Sequence, residues 1–250
     1  MPALNDKPVR LLMHDMAAAF ALQPGQAFSR ERAVQWFAEH YPNVKEGTVT
    51  AHLIRLSTNV RTRLQYAARD DGSDDLFFKI DSSHFRLYEP GRDPIPISSL
   101  TAQSDDAEPT VAENTAAALS QEFAYEHDLR DYLVRNLHAL EPGLRPYTDE
   151  GITGVEFPAG GRFIDILAVD QHGDYAVIEL KVSKGYDRVV GQLLRYVNWI
   201  KEHHVDGPQK VRGMIVAKDI SEDLRLACRA LPDVTLYEYK LSVTVQQVSG

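Results

Sequence analysis

Apolar positions recur at helical spacing in three runs over the first quarter of the chain, at about residues 8–22, 29–40 and 46–58. Ser29 is a favourable N-cap for the second run, Val34, Phe37 and Ala38 mark its inward side, and Pro42 ends it. The third run carries Val49, Leu53, Ile54 and Leu56. The period then falls to two: residues 76–80 and 84–87 alternate around Asp81-Ser82-Ser83, which predicts a β-hairpin. Residues 98–119 have no periodicity, no aromatic side chain and no Lys or Arg, and are rich in Ser, Thr, Ala, Asp and Glu, as expected of a flexible linker.

Helical spacing returns at residues 122–140, where Leu129, Tyr132, Leu133, Leu137 and Leu140 share one side. Residues 144–157 are less regular, with Gly151, Gly154 and Pro158 around an expected strand that leads into the next elements. Two β-branched and aromatic runs follow, 163–169 and 175–182, with a polar turn at Gly173 between them. A long helix with Val189, Val190, Leu193, Val197 and Ile200 inward comes next, then a strand at 210–217, a helix at 221–230 capped by Ser221, and a strand at 234–245. The expected division is a small α+β domain over residues 1–97, an acidic linker over 98–119 and an α/β domain over 120–250.

Composition changes this picture little. The net charge of −9 does not advertise nucleic-acid binding, but it is unevenly spread: residues 99–122 hold five acids and no Lys or Arg. Affinity for a polyanion follows local clusters of basic groups rather than the total. The single cysteine, Cys228, excludes an internal disulfide or a Cys-rich zinc module and suggests a reducing compartment. The apolar run at 11–22 is too short to span a bilayer and lacks a signal-peptide layout, so a soluble cytoplasmic protein is expected, with no membrane partner.

The chemistry concentrates in the second hairpin. On the run from Tyr175 to Val182, Glu179 and Lys181 share a face because strand side chains alternate. If the turn is symmetric about His172, Asp165 lies opposite Glu179. Directly opposed carboxylates about 5 Å apart repel each other, so a positive group should sit between them. A hard divalent cation such as Mg²⁺ fits that gap. Lys181, one pleat along, is placed to hold or help deprotonate a bound water.

An Asp followed after a strand gap by Glu-x-Lys resembles the PD-(D/E)XK nuclease superfamily, here at Asp165 and Glu179-Leu180-Lys181. The resemblance sharpens towards the C-terminal catalytic domain of the NucS/EndoMS endonucleases in Gly161-Arg162-Phe163-Ile164-Asp165, Val177-Ile178-Glu179-Leu180-Lys181 and Gly191-Gln192-Leu193-Leu194-Arg195-Tyr196. A second Glu-x-Lys, Glu238-Tyr239-Lys240, lacks both the paired Asp and the Gln-x-x-x-Tyr helix and reads as an ordinary strand. The resemblance implies a restriction-endonuclease-like mixed sheet flanked by helices, with core order αβββαβαβ. It also implies Mg²⁺ or Mn²⁺ held by Asp165, Glu179, the Leu180 carbonyl and Glu126, with Glu122 and Asp128 as alternatives to Glu126. Gln192 and Tyr196 would orient Lys181, water or the scissile phosphate. Lys184, Arg188 and Arg195 would form a phosphate-contacting rim. Relatives of this kind act as dimers on duplex DNA, so a homodimer is the implied assembly.

Three helices followed by a hairpin is winged-helix order, resembling the helix-turn-helix domains that precede nuclease domains in restriction-type proteins. Lys45, Arg55, Arg61, Arg63 and Arg69 face one acid, Glu46, between residues 45 and 69. Thr48, Thr50, His52 and Arg55 are the expected outward positions of the third helix, the one such folds lay in the major groove, with Arg61 and Arg63 on phosphates. The acids Asp70, Asp71, Asp74 and Asp75 beside the wing argue for a solvated face and a protein partner instead. The expected function is a metal-dependent endonuclease in restriction, genome defence or DNA repair. The rivals are a non-cleaving DNA-binding or regulatory protein on the same fold, and a nuclease for RNA or for branched or single-stranded DNA.

Overall fold

The computed structural model describes residues 7–98, 126–181, 187–205 and 207–240. The proposed linker therefore lies, apart from Ser98, outside the described residues, as do Lys184 and the last part of the final strand.

The first unit runs α1 (Val9–Ala19), β1 (Phe28–Ser29), α2 (Arg30–His40), α3 (Glu46–Arg55), a 3₁₀ turn (Arg61–Tyr66), β2 (Phe77–Lys79) and β3 (His84–Leu87). Ser29 caps α2 by accepting a hydrogen bond from the Arg32 N–H at 3.2 Å, which satisfies one of the helix's orphan donors. The three strands form a small sheet in the order β1-β3-β2. Asp81 closes the hairpin as an Asx turn, accepting from the backbone N–H groups of Ser83 and His84, each at 2.8 Å. A core of Leu12, Met13, Met16, Phe28, Phe37, Val49, Leu53 and Phe77 fills the space between helices and sheet.

The second unit begins with a helix over residues 126–135, here α4. It continues with short strands β4 (Arg145–Pro146), β5 (Thr148–Asp149) and β6 (Ile152–Thr153), then β7 (Val155–Ala159), β8 (Arg162–Val169) and β9 (Tyr175–Lys181). After these come α5 (Asp187–His203), β10 (Val211–Ala217), α6 (Glu222–Cys228) and β11 (Val234–Glu238). The main sheet has the order β11-β10-β9-β8-β4, with β7 also on β8. The β7–β8 and β8–β9 pairs are antiparallel, whereas β9–β10 and β10–β11 are parallel, so the sheet is mixed. The αβββαβαβ order is present, with β4, β5 and β6 added before it closes. One face of the sheet packs on Leu129, Leu133 and Leu137 from α4 and its continuation, the other on Val189, Leu193, Tyr196 and Val197 of α5. Among the described residues no helix is long and apolar enough to cross a membrane.

The irregular stretch at 144–157 is a single edge strand interrupted by an excursion. Residues 148–153 leave the sheet as a two-stranded hairpin whose tip, Glu150-Gly151, has φ of 45° and 84°. Positive φ at both central positions is the tight-turn geometry that matches strand twist, and it explains the glycine. The tip inserts into the first unit. The Glu150 carboxylate accepts a hydrogen bond from the Val9 N–H at 2.6 Å, capping α1 where Pro8 supplies no side-chain cap and no acid lies in the first turn.

This insertion corrects the expectation for the third helix. Every residue of α3 from Gly47 to Arg55 is buried. Val49 and Leu53 belong to the core of the first unit, while Ala51 and Ile54 join that of the second. A helix apolar on both sides packs between layers rather than lying on a surface. Gly47 shows how close the layers are: a Cβ there would stand 2.8 Å from Phe157 Cζ, inside any tolerable contact.

Candidate active site

The β8–β9 register pairs Ile166 with Ile178 and Val169 with Tyr175, and the same register carried one step further sets Asp165 against Glu179. The ladder ends there. Leu180 N–H donates instead to the Asp165 carboxylate at 2.8 Å. A strand residue projects its N–H and C=O towards the same neighbour, so the Leu180 carbonyl opens into the gap where the strands part.

Glu179 is fully buried. Gln192 Nε2 on α5 donates to Glu179 Oε2 at 2.8 Å, while Oε1 has no hydrogen-bond partner. Burial, then the Asp165 carboxylate, pushes the Glu179 carboxyl up to about 9 against the opposing pull of Lys181. Asp165 is raised as well, by burial first, while the Leu180 N–H and Lys181 act in the other direction. Two carboxylates this close, one fully buried and one half-buried, do not both ionise readily without a cation between them. An orphaned buried carboxylate oxygen, a second carboxylate and a backbone carbonyl form a hard-oxygen donor set that suits a divalent ion with several waters of its own.

Gln192 and Tyr196, four residues apart on α5, stack on one edge of that helix as their spacing requires. Tyr196 is buried, its hydroxyl raised by burial and by Glu179, and the Arg195 guanidinium lies 4.9 Å from its ring. Lys181 ends β9, half-buried. Glu126 starts the described part of α4 and is felt electrostatically at Glu179. Among the described residues no three or more His, Cys, Asp or Glu side chains converge as a ready-made ion site. Arg188 and Arg195 are exposed on α5. The other Glu-x-Lys pairs within itself, Lys240 Nζ to Glu238 at 3.7 Å.

The N-terminal candidates are placed differently. Thr48 is buried with its hydroxyl 3.3 Å from Asp149, Thr50 is buried, and His52 hydrogen-bonds the Thr48 carbonyl through Nδ1 at 3.0 Å. Arg55 donates through Nε to Asp74 at 3.1 Å and through Nη1 to the Glu150 carbonyl at 3.3 Å. Arg63 is 1% exposed and pairs with Asp75 at 2.6 Å. Two pairs, Arg55 with Asp74 and Arg63 with Asp75, thus neutralise part of the basic run and part of the acid cluster inside the molecule, while Arg69, Asp70 and Asp71 are exposed. None of Thr48, Thr50, His52, Arg55 and Arg63 can reach a groove from these positions. Lys45 is half-buried, its amine lowered by burial, and Arg61 is exposed.

Sequence reasoning passed over Glu156. The β7–β8 register sets Val155 against Ile166 and Phe157 against Ile164, so Glu156 lies across from Asp165 on the edge opposite Glu179. Its φ of 47° is the left-handed region, unusual within a strand for any residue but glycine. Its carboxylate forms a short ion pair with Arg130 of α4, and its carbonyl accepts from Tyr66 Oη at 2.6 Å. No motif marks it, since its position depends on the β5–β6 excursion.

Residues 125–231 match the family model described as the endonuclease NucS C-terminal domain, and residues 8–87 match a domain of unknown function, DUF7669. The C-terminal unit is thus similar to the NucS C-terminal domain. Endonuclease NucS from Pyrococcus furiosus is 33% identical over 97 residues, covering 39% of this chain and 33% of its own. Endonuclease NucS 2 from Halobacterium salinarum is 36% identical over 126 residues, covering 50% of this chain and 46% of its own. The chain spans less than half the length of these curated relatives. Among solved structures, a repair endonuclease from Pyrococcus abyssi overlaps 54% of this chain and 50% of its own at 24% identity and a TM-score of 0.38. An EndoMS–double-stranded DNA complex overlaps 65% and 53% at 20% identity and a TM-score of 0.39. The NucS-like match stops short of the first 124 residues, which is where the second family model lies.

Proposed function

We propose that this protein is a metal-dependent endonuclease that hydrolyses phosphodiester bonds of duplex DNA. The observation that carries the reading is the gap between β8 and β9: half-buried Asp165 and fully buried Glu179 brought together, both held up towards their neutral forms, with one Glu179 oxygen unpartnered. Asp165, Glu179 and the Leu180 carbonyl would hold Mg²⁺ or Mn²⁺. Held there, such an ion would supply Lewis-acid polarisation of the scissile phosphate and charge for the transition state.

The chain's own groups do the positioning. Leu180 N–H fixes the Asp165 carboxylate, and Gln192 fixes that of Glu179, so neither has to reorganise on binding. Lys181, at the end of β9, hydrogen-bonds the attacking water and sets it in line with the departing 3′ oxygen, so that the products carry 5′-phosphate and 3′-hydroxyl ends. Arg188 and Arg195 lie on the same helix as Gln192, where flanking phosphates would pass. A homodimer would present two such sites to the two strands of a duplex. The N-terminal unit differs in family from the nuclease domain, which favours a role in restriction or genome defence over mismatch repair.

The test is cleavage of plasmid DNA with Mg²⁺ or Mn²⁺, wild type beside Asp165→Ala, on unmodified, modified and mismatched substrates. Cutting that needs the ion and disappears in the variant is expected; equal cutting by both proteins would end the assignment. Thermal unfolding gives a readout independent of turnover. Divalent ion should raise the wild-type Tm and leave Glu179→Gln unmoved.

A further inference from the structure

A cleft of about 520 Å³ separates the 3₁₀ turn of the first unit from α4 of the nuclease domain, with Arg61, Gln65, His127, Arg130, Arg135 and Glu156 among its lining residues. It borders the catalytic gap. Glu156 on β7 stands opposite Asp165 on β8, and both Glu156 and Arg130 act electrostatically on that carboxylate. Asp131 also lines the cleft, 3.9 Å from Arg130 Nε.

Three guanidinium groups reach this cleft, and their states differ. Arg130 is 5% exposed, spends one nitrogen on Glu156, and leaves Nε without a hydrogen-bond partner. A buried guanidinium donor left over is uncommon, because an unpaired buried donor is costly. Arg61 and Arg135 are exposed, and among the described residues neither has an ion-pair partner. Arg is the side chain whose fork matches a phosphate's oxygens. Glu156 then has a clear part: it holds Arg130 in the wall in a fixed orientation, and its strained backbone is tied down by the Tyr66 hydroxyl from the first unit.

We infer that this cleft is a binding site for the phosphodiester backbone of the substrate DNA, with Arg61 and Arg135 gripping phosphates on its two walls and Arg130 at its floor. It rests on the nuclease reading above. It gives the N-terminal unit a role that its buried α3 cannot play: that unit supplies one wall of the strand channel beside the catalytic gap, through the turn at Arg61–Tyr66, rather than a helix in the major groove.

The experiment uses the full chain and a short fluorescent duplex in buffer without divalent ions, so that binding is read without cutting, over a series of salt concentrations. Wild type is compared with Arg61→Gln, Arg135→Gln and the double variant, each checked for an unchanged Tm. Loss of two phosphate contacts should flatten the slope of log affinity against log salt by about 1.8 and weaken binding about tenfold or more at moderate salt. The single variants should each give about half the change in slope, and they carry the test if the double variant fails to fold. Unchanged affinity and slope in folded variants of a wild type that binds and cuts DNA would overturn this site alone. A wild type that neither binds nor cuts DNA would overturn both this site and the nuclease reading.

Discussion

The hairpin β8–β9 and the helix α3 were the two stretches whose side chains pointed most clearly to DNA, and the structure treats them in opposite ways. In the hairpin, strand alternation and a symmetric turn set Asp165, Glu179 and Lys181 on one side whatever surrounds them, and the surroundings add burial, which supplies the electrostatic stress. In α3 the spacing is equally regular, but Thr48, His52 and Arg55 are covered by the β5–β6 hairpin and β7 of the other unit. A cluster of ionisable groups is a site when its charges are left wanting. Arg55 and Asp74 satisfy each other; Glu179 Oε1 has nothing.

The sharpest break between the two regions is expected in activity. Lys181→Ala should abolish cleavage, a loss of about a thousandfold or more on the scale of removing a group that acts in the transition state, while DNA binding stays largely intact. Undiminished turnover in that variant would remove Lys181 from the mechanism. Arg55→Ala should do the reverse. It strips a partner from a fully buried Asp74, and breaking such a pair costs about 3 kcal/mol, so the Tm falls. A variant with wild-type Tm and weakened DNA binding would restore α3 as a recognition helix.

Acid sensitivity is of comparable size. Burial holds His52 and His204 down to about 4, the latter inside a box of Tyr147, Phe157 and Tyr175. The unfolded chain binds those protons first, near pH 6.5, so each histidine removes stability as pH falls from about 6.5 to about 4, approaching 3 kcal/mol. The raised Glu179 acts with the opposite sign over the part of that window above its unfolded pKa. The informative quantity is therefore the difference between wild type and His204→Phe in denaturant titrations at several pH values. That difference should change steadily below pH 6.5, and a constant difference would contradict a neutral buried His204. The smallest effect belongs to the contact that joins the regions. Glu150→Ala removes the cap on α1 and should cost about 1 kcal/mol, with native-state hydrogen exchange quickening first at the start of α1.

The elements themselves were legible. Ser29 and Ser221 cap their helices as their positions suggest, and the αβββαβαβ order that the family resemblance implies is present, although its first strand carries no clean period. The candidate site was legible as far as Asp165, Glu179, Lys181, Gln192 and Tyr196, because each is placed by alternation or by i, i+4 spacing relative to a neighbour close in sequence. Glu156 was not, since the stretch around it carries no clean period and its place depends on how many residues the edge strand loops out.

What the sequence determined by itself is local: which residues are helical, which alternate, and which side chains share a face, all set by backbone geometry within a few residues. What only the tertiary structure decided is which of those faces meets water. The hairpin tip at Glu150-Gly151 inserts beside α1, the side of α3 carrying Ala51 and Ile54 packs on the sheet of the second unit, and Arg55 of that helix becomes an internal partner for Asp74 and Glu150. Burial depends on contacts between segments about a hundred residues apart, and no local pattern encodes the choice between a second apolar stripe that packs and one that does not.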